Sequence, residues 1–356
     1  MILLPLLSVL AADAHAGGAK LFTPAYEANC QTPRWSPDGS QLAYEVNFHD
    51  RKIIESYILA PGQDPKAVRP VPRGGSTGLT SGFSTSGDEM VVHELAWSPA
   101  SLKTYIFSAS GADRDYDLYL ATGAKLAEHP GADGGAAWSP DGNHIAFTTA
   151  RTGQGDVYVL DVNALDQPPR QLTGDPTASE LYLSWSADSK SLAFVGHTRN
   201  GDNIYLIEDI DYPTPKPVTS WSNTQTRPTF SPDGGRLAFY SNHVDSQRFD
   251  LYMMAVGGEP SLLVEGVVMN PDGPQWLPGG SELVVVLDDD DRYDPIYRVP
   301  VGDPGSMSEV PTNTVGNGDH DLAVGTDGRT YLAIAAQGEQ GSDKRDFKRI
   351  YVMALD

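Results

Sequence analysis

The residues best suited to chemistry in this sequence are its eight histidines, its single cysteine and two runs of aspartate. Asp113, Asp115 and Asp117 alternate along one segment, and Asp288 to Asp291 form another with Asp294 close behind. Carboxylates at alternate positions converge readily on Ca²⁺, which takes six to eight oxygen ligands. Asp113, Asp115, Asp117, Asp288 and Asp290 are therefore the candidate metal ligands, with calcium the candidate cofactor. Neither run has the glycine and distal glutamate of an EF-hand loop. The plainer reading is a solvated loop whose last aspartate opens a strand, as Asp156 and Asp250 do. Gly74-Gly75-Ser76-Thr77-Gly78 matches the G-x-S-x-G nucleophile pattern, which requires a sharp strand-to-helix turn. Pro70, Pro72 and Gly82 surround it and no helical period follows, so it reads as a loop and no catalytic residue is assigned.

What positions these residues is a repeat. Seven segments align: Trp35-Ser-Pro-Asp-Gly, Trp97-Ser-Pro-Ala-Ser, Trp138-Ser-Pro-Asp-Gly, Trp185-Ser-Ala-Asp-Ser, Phe230-Ser-Pro-Asp-Gly, Trp276-Leu-Pro-Gly-Gly and Val324-Gly-Thr-Asp-Gly. Their first residues lie 62, 41, 47, 45, 46 and 48 apart, the period of a four-stranded propeller blade. A tyrosine follows each at a nearly constant distance: Tyr57, Tyr119, Tyr158, Tyr205, Tyr252, Tyr297 and Tyr351. In the unit from Gly135, the spacing predicts an inner strand at 136–138, a tight Ser-Pro-Asp-Gly turn, and strands at 145–149, 157–160 and 170–173. Proline presets φ in such a turn, aspartate bonds the backbone and glycine takes positive φ. The last unit ends on a third strand, Ile350 to Met353, and Lys20 to Thr23 resembles an orphan outer strand. The expected fold is all-β: a seven-bladed propeller of four-stranded antiparallel blades, closed by the N-terminal strand on the last blade.

The phase of the repeat sorts the loops between two faces. His49, His197 and His243 fall in loops joining second to third strands, and His93, His129 and His320 in or near loops entering inner strands. Both sets open on one face, while His144 belongs to the other. Arg51, Arg114, Arg151, Arg199, Arg248 and Arg292 share the loops of the first set. The expected ligand-binding face is therefore His49, Arg51, His93, Arg114, Arg151, His197, Arg199, His243, Arg248, Arg292 and His320. The arginines suit carboxylates on a peptide, a partner protein or an acidic sugar. Three imidazoles from different blades can chelate a metal, although no local H-x-H spacing supports it. The excess length between the first two units, 61–90, is rich in Gly, Ser, Thr and Pro and leads into the second inner strand.

Trp-Ser-Pro-Asp-Gly, a short apolar strand, a polar loop and Asp-x-Tyr together resemble the TolB-like propeller repeat. Asp156-Val-Tyr158 and Asp250-Leu-Tyr252 complete the pattern here. The resemblance spans essentially the whole mature chain and implies the fold and a periplasmic setting. TolB itself resembles an α/β domain followed by six blades that partners a peptidoglycan-associated lipoprotein, whereas this sequence carries seven units. The same repeat occurs in prolyl-oligopeptidase-like propellers and in a metal-dependent oligogalacturonate lyase, so the resemblance leaves the function class open.

Composition narrows that choice. The 356 residues carry 47 Asp plus Glu against 25 Lys plus Arg, a net charge of −22 that repels phosphate backbones and anionic lipid. No nucleic-acid partner is expected, nor a membrane span downstream of the N-terminus. Met1 to Leu10 is almost wholly apolar and Ala14-His15-Ala16 supplies a small-x-small cleavage pattern, so residues 1–16 read as a signal peptide and 17–356 as the propeller. No Lys or Arg precedes the apolar run. Cys30 has no partner for an internal disulfide and reads as a small buried residue. The sequence thus suggests a periplasmic or secreted monomer that binds a protein or cell-envelope component through its upper loops. The alternative is a metal-dependent lyase or hydrolase acting on an acidic oligosaccharide, and a regulatory propeller detached from a peptidase is a third reading.

Overall fold

The computed structural model describes residues 18–24, 26–50, 53–60, 63–68, 91–100, 104–110, 116–127, 129–289, 293–339 and 347–355. Seven small antiparallel sheets form a seven-bladed β-propeller. Blade three shows the plan: Asp133–Trp138 innermost, then His144–Thr149, Asp156–Asp161 and the short outer Arg170–Gln171. The strands expected for this unit are thus present, each differing by one to three residues at its ends.

Both repeated markers have a structural cause. The tyrosine sits in the third strand, directly opposite an apolar or aromatic residue of the second. Phe107 pairs with Tyr119, Phe147 with Tyr158, Phe194 with Tyr205 and Phe239 with Tyr252. The Phe194 and Tyr205 rings stack with centroids 5.6 Å apart, and Phe107 and Tyr119 do the same. Such cross-strand pairs contribute about 0.2–1 kcal/mol each. The second strands are buried on both faces, with Ile145, Ala146 and Phe147 wholly inaccessible, because each sheet is sandwiched between neighbours.

The tryptophan joins blades. Trp97 Nε1 donates to the carbonyl of Arg34, Trp138 Nε1 to Ala96, Trp185 Nε1 to Ala137 and Trp276 Nε1 to Thr229. Each acceptor immediately precedes the marker residue of the preceding blade, so in four of the seven blades an indole stitches the blade to the one before it. The following serine and aspartate tie the turn: Ser139 Oγ donates to Asp141 at 2.6 Å and accepts from the backbone N–H of His144. Gly142 takes φ +74, where a Cβ would lie 2.5 Å from that of Ala100 in the neighbouring blade. That close approach explains the glycine.

The ring closes as the sequence suggests. Lys20 pairs with Val352 and Leu21 with Tyr351, making Lys20–Leu21 the outer strand of blade seven. Phe22 and Thr23 follow onto the same strand, and the backbone N–H of Ile350 donates to Thr23 Oγ1. At the seam, Trp35 Nε1 is buried without an acceptor. Blade-seven carboxylates bind blade one instead: Asp319 accepts from the Thr32 N–H at 2.9 Å and Asp321 from the Trp35 N–H at 2.7 Å. Cys30 is fully buried, and burial pushes its thiol up to about 11, in keeping with a packing role.

Candidate functional site

Inner strands line the axis of the ring, and five of them are bulged at one place. The ladder to the second strand breaks between Gln31 and Arg34, His93 and Ala96, Gly134 and Ala137, Leu181 and Ser184, and Thr226 and Thr229. The residue three before each marker takes positive φ: Thr32 (46°), Glu94 (53°), Gly135 (59°), Tyr182 (56°) and Arg227 (53°). Gly273 holds the equivalent place at φ +86 in blade six, where the inner strand is split into Val267–Val268 and Gln275–Trp276. Blade seven alone runs unbroken from His320 to Val324 in register with Ile334 to Thr330. Glycine meets such a backbone at little cost, whereas an L side chain costs about 1–2 kcal/mol. Four blades nevertheless keep a Thr, Glu, Tyr or Arg there. Backbone strain of this kind gathers at functional sites.

These residues line an open channel of about 1170 Å³ contributed by six blades. It reaches from Gln154 and Gly155, in the loop after the second strand of blade three, to the turn prolines Pro99 and Pro140. Those loops and turns lie at opposite ends of the second strands, so the channel traverses the ring. Its wall is divided electrically. Glu94 is exposed, accepts from the Gly135 N–H at 2.7 Å and from Ser108 Oγ at 3.2 Å, and neighbours Glu45. Arg34 in blade one reaches Asp272 in blade six at 2.6 Å, passing over blade seven between them. Arg227 lies across the Tyr182 ring, its guanidinium carbon 4.3 Å from the centroid.

Buried acids surround the channel. Burial, with Asp156 and Asp175 nearby, pushes the Glu180 carboxyl up to about 8, and its Oε2 has no hydrogen-bond partner. Burial likewise raises Asp321 to about 7, with the Asp272 charge adding to it.

The sequence-selected residues do not form one site. His49 Nε2, in the loop after the second strand of blade one, accepts from the Asn29 side-chain NH2 at 2.9 Å, and His197, near the end of the second strand of blade four, meets Asp202 at 2.5 Å. His243 stacks on Trp221 with ring centroids 4.0 Å apart, a platform the sequence did not suggest. Arg199 is exposed. Arg248 is drawn to Asp250 at 3.4 Å and Glu265 at 3.7 Å, the pairing with adjacent acids that competes with a ligand role.

Two residues depart from the expected rim. Arg151 is folded inward: it bonds Thr149 and the Ala127 carbonyl, approaches Asp133 at 3.4 Å, and lies over the Tyr158 ring. It ties blade three together. His320 is 1% exposed, with Nδ1 and Nε2 both facing carbonyl oxygens, of Gly318 at 3.0 Å and Val284 at 3.2 Å. Enclosed by backbone, the His320 ring does not line the channel.

Of the calcium candidates, Asp117 binds Lys125 at 2.8 Å and Asp288 is exposed. Among the described residues no group of three or more His, Cys, Asp or Glu side chains is placed to hold a metal. Arg51, Arg114, Arg292, Asp113, Asp115, Asp290, the Gly74–Gly78 motif, the long 69–90 segment and the signal-peptide segment lie outside the described residues, as does the side chain of His93. The channel residues Tyr182 and Arg227 were missed by the sequence reading. Their signal was the place three residues before each marker, glycine in two repeats and bulky in four.

No family model matches the chain. A relative described as an uncharacterized peptidase, YuxL of Bacillus subtilis, is 26% identical over 234 residues, covering 62% of this chain and 31% of that protein. The match thus spans about a third of the relative's length. Among solved structures, TolB from Acinetobacter baumannii superposes with a TM-score of 0.53 at 19% identity, over 77% of this chain and 64% of that one. A structure described as putative TolB from Agrobacterium tumefaciens gives a TM-score of 0.48 at 18% identity, over 92% and 91%. With its strand order, closure and repeat now described, the chain is a TolB-like β-propeller in fold.

Proposed function

We propose that this protein is an exported binding module that recognises a protein or cell-envelope component at its upper loop face, with the channel mouth at the centre of the site. The observation that carries the reading is the open channel, kept lined by strained non-glycine residues at four of the bulges. Side chains retained at a conformational cost, where glycine serves two sister blades, fit selection for a ligand. Exposed Arg199 and the partly paired Arg248 add positive charge at the rim of an acidic protein, which suits acidic groups on the partner.

The module acts in the periplasm or outside the cell as a monomer. The apolar N-terminus and the Ala14-His15-Ala16 pattern support export, as does the likeness in fold to TolB. Among the described residues no helix is long and apolar enough to cross a membrane. Affinity capture from the envelope fraction tests the binding reading, with Arg199→Ala/Arg248→Ala and Glu94→Gln variants compared against the wild type. Reduced recovery of the same partner by both variants supports the mouth; equal recovery by all three proteins contradicts it.

A further inference from the structure

Two arginines line the channel, and they are held differently. Arg34 is neutralised by Asp272 at 2.6 Å, with Glu45 and Glu94 adding their charge. Arg227 rests on the Tyr182 ring and donates through Nη1 to the carbonyl of Pro271. Among the described residues Arg227 makes no ion pair. A guanidinium has five N–H donors in a rigid plane. Stacking and one carbonyl bond fix that plane and leave most donors unspent. In a channel whose wall also carries Glu45, Glu94, Asp133, Glu180 and Asp272, a fixed arginine that none of them pairs with is the place left to draw an anion.

The wall around it chooses the kind of anion. Leu181, Leu183, Pro228 and Pro271 line the channel beside the pair, and Leu181 and Tyr182 remain 37% and 41% exposed. Apolar surface beside the guanidinium suits an aliphatic or aromatic side chain next to a carboxylate. The bulges between Leu181 and Ser184 and between Thr226 and Thr229 also take peptide groups out of the sheet ladder on either side of the pair. We infer that Arg227, held flat against Tyr182, anchors a carboxylate inside the channel, and that its bearer is the C-terminus of an extended peptide. This rests on the channel-binding reading and names the chemistry that reading lacks.

The test uses N-acetyl-leucine and N-acetyl-leucinamide as probes, followed by the Nε–Hε resonances of Arg227 and Arg34 in the whole protein. The acid should shift the Arg227 signal saturably, bind about tenfold or more tighter than the amide, and leave Arg34 unmoved. Arg227→Gln should abolish the difference, and Arg227→Lys, the milder change, should weaken it. Should Arg227→Gln fail to fold, Arg227→Lys decides alone. Equal shifts with both probes, no saturable shift, an acid preference surviving Arg227→Gln, or one undiminished in Arg227→Lys would overturn the anchor. Partner capture by wild-type protein separates the two claims. Capture without an acid-specific shift removes the anchor and keeps the binding reading; an acid-specific shift without capture does the reverse.

Discussion

Replacing Glu180 by Gln should make the protein more stable in alkali and leave it nearly unchanged in acid. Glu180 is 3% exposed, and its neighbours Asp156 and Asp175 are also acids. Its carboxyl is pushed from 4.5 up to about 8, so the folded state holds this proton where the unfolded chain has released it. Stability therefore falls as pH rises through that window. Each pH unit between 4.5 and about 8 is worth about 1.4 kcal/mol, which sets a ceiling of about 5 kcal/mol on the difference at pH 9. Relaxation around the carboxylate lowers this, and a gain of about 2–4 kcal/mol is expected. Urea midpoints for wild type and Glu180→Gln, measured from pH 4 to 9, give the answer directly. The two curves should meet near pH 4 and part through neutrality. A constant offset across the range, or a wild type that gains relative to the variant in alkali, would refute the argument.

The indole stitches make a paired prediction: Trp138→Phe removes a bonded donor and should cost about 1 kcal/mol more than Trp35→Phe, whose Nε1 has no acceptor. Equal losses in denaturant midpoint would deny the stitch. Thr32→Gly should stabilise by about 1 kcal/mol, because Thr32 combines φ +46 with a buried, unbonded hydroxyl; a lowered melting temperature counts against strain at the bulges. Deleting residues 1–23 removes the outer strand of blade seven and should both lower the melting temperature and promote association through the bared edge of Arg349–Ala354. A monomeric, undiminished deletion variant would argue that closure is unimportant. If export follows the cleavage pattern, N-terminal sequencing of the mature protein should begin at Gly17; an intact Met1 would contradict it.

The fold was legible because the two markers report packing that every blade must repeat. Trp138 and Tyr158 each answer to a neighbour fixed by symmetry, so their phase could be read without knowing the structure. Leu21 beside Tyr351 was legible for the same reason, since a blade lacking its fourth strand must find one. The loop face followed from that phase; His49 and Arg199 lie in loops after second strands, whereas His197 belongs to the strand Leu192–Thr198 itself. The site was less legible. Whether an arginine points outward, as Arg199 does, or folds onto Tyr158, as Arg151 does, depends on contacts between elements that sequence spacing does not encode. His320 shows the same limit: it opens the inner strand His320–Val324, but its burial was not visible in the spacing. The bulge at Tyr182 and Arg227 escaped because positive φ is signalled by glycine, and here the informative repeats are those in which glycine is absent.

Site-specific photocrosslinking tests the central claim most directly. A benzoylphenylalanine placed at Gln154, at the channel mouth, should yield a partner adduct in the native envelope. The same residue at Tyr212, which is 80% exposed in the loop between the third and fourth strands of blade four, should yield none. Adducts at Tyr212 with none at Gln154 would put the binding surface on the other face and contradict the account.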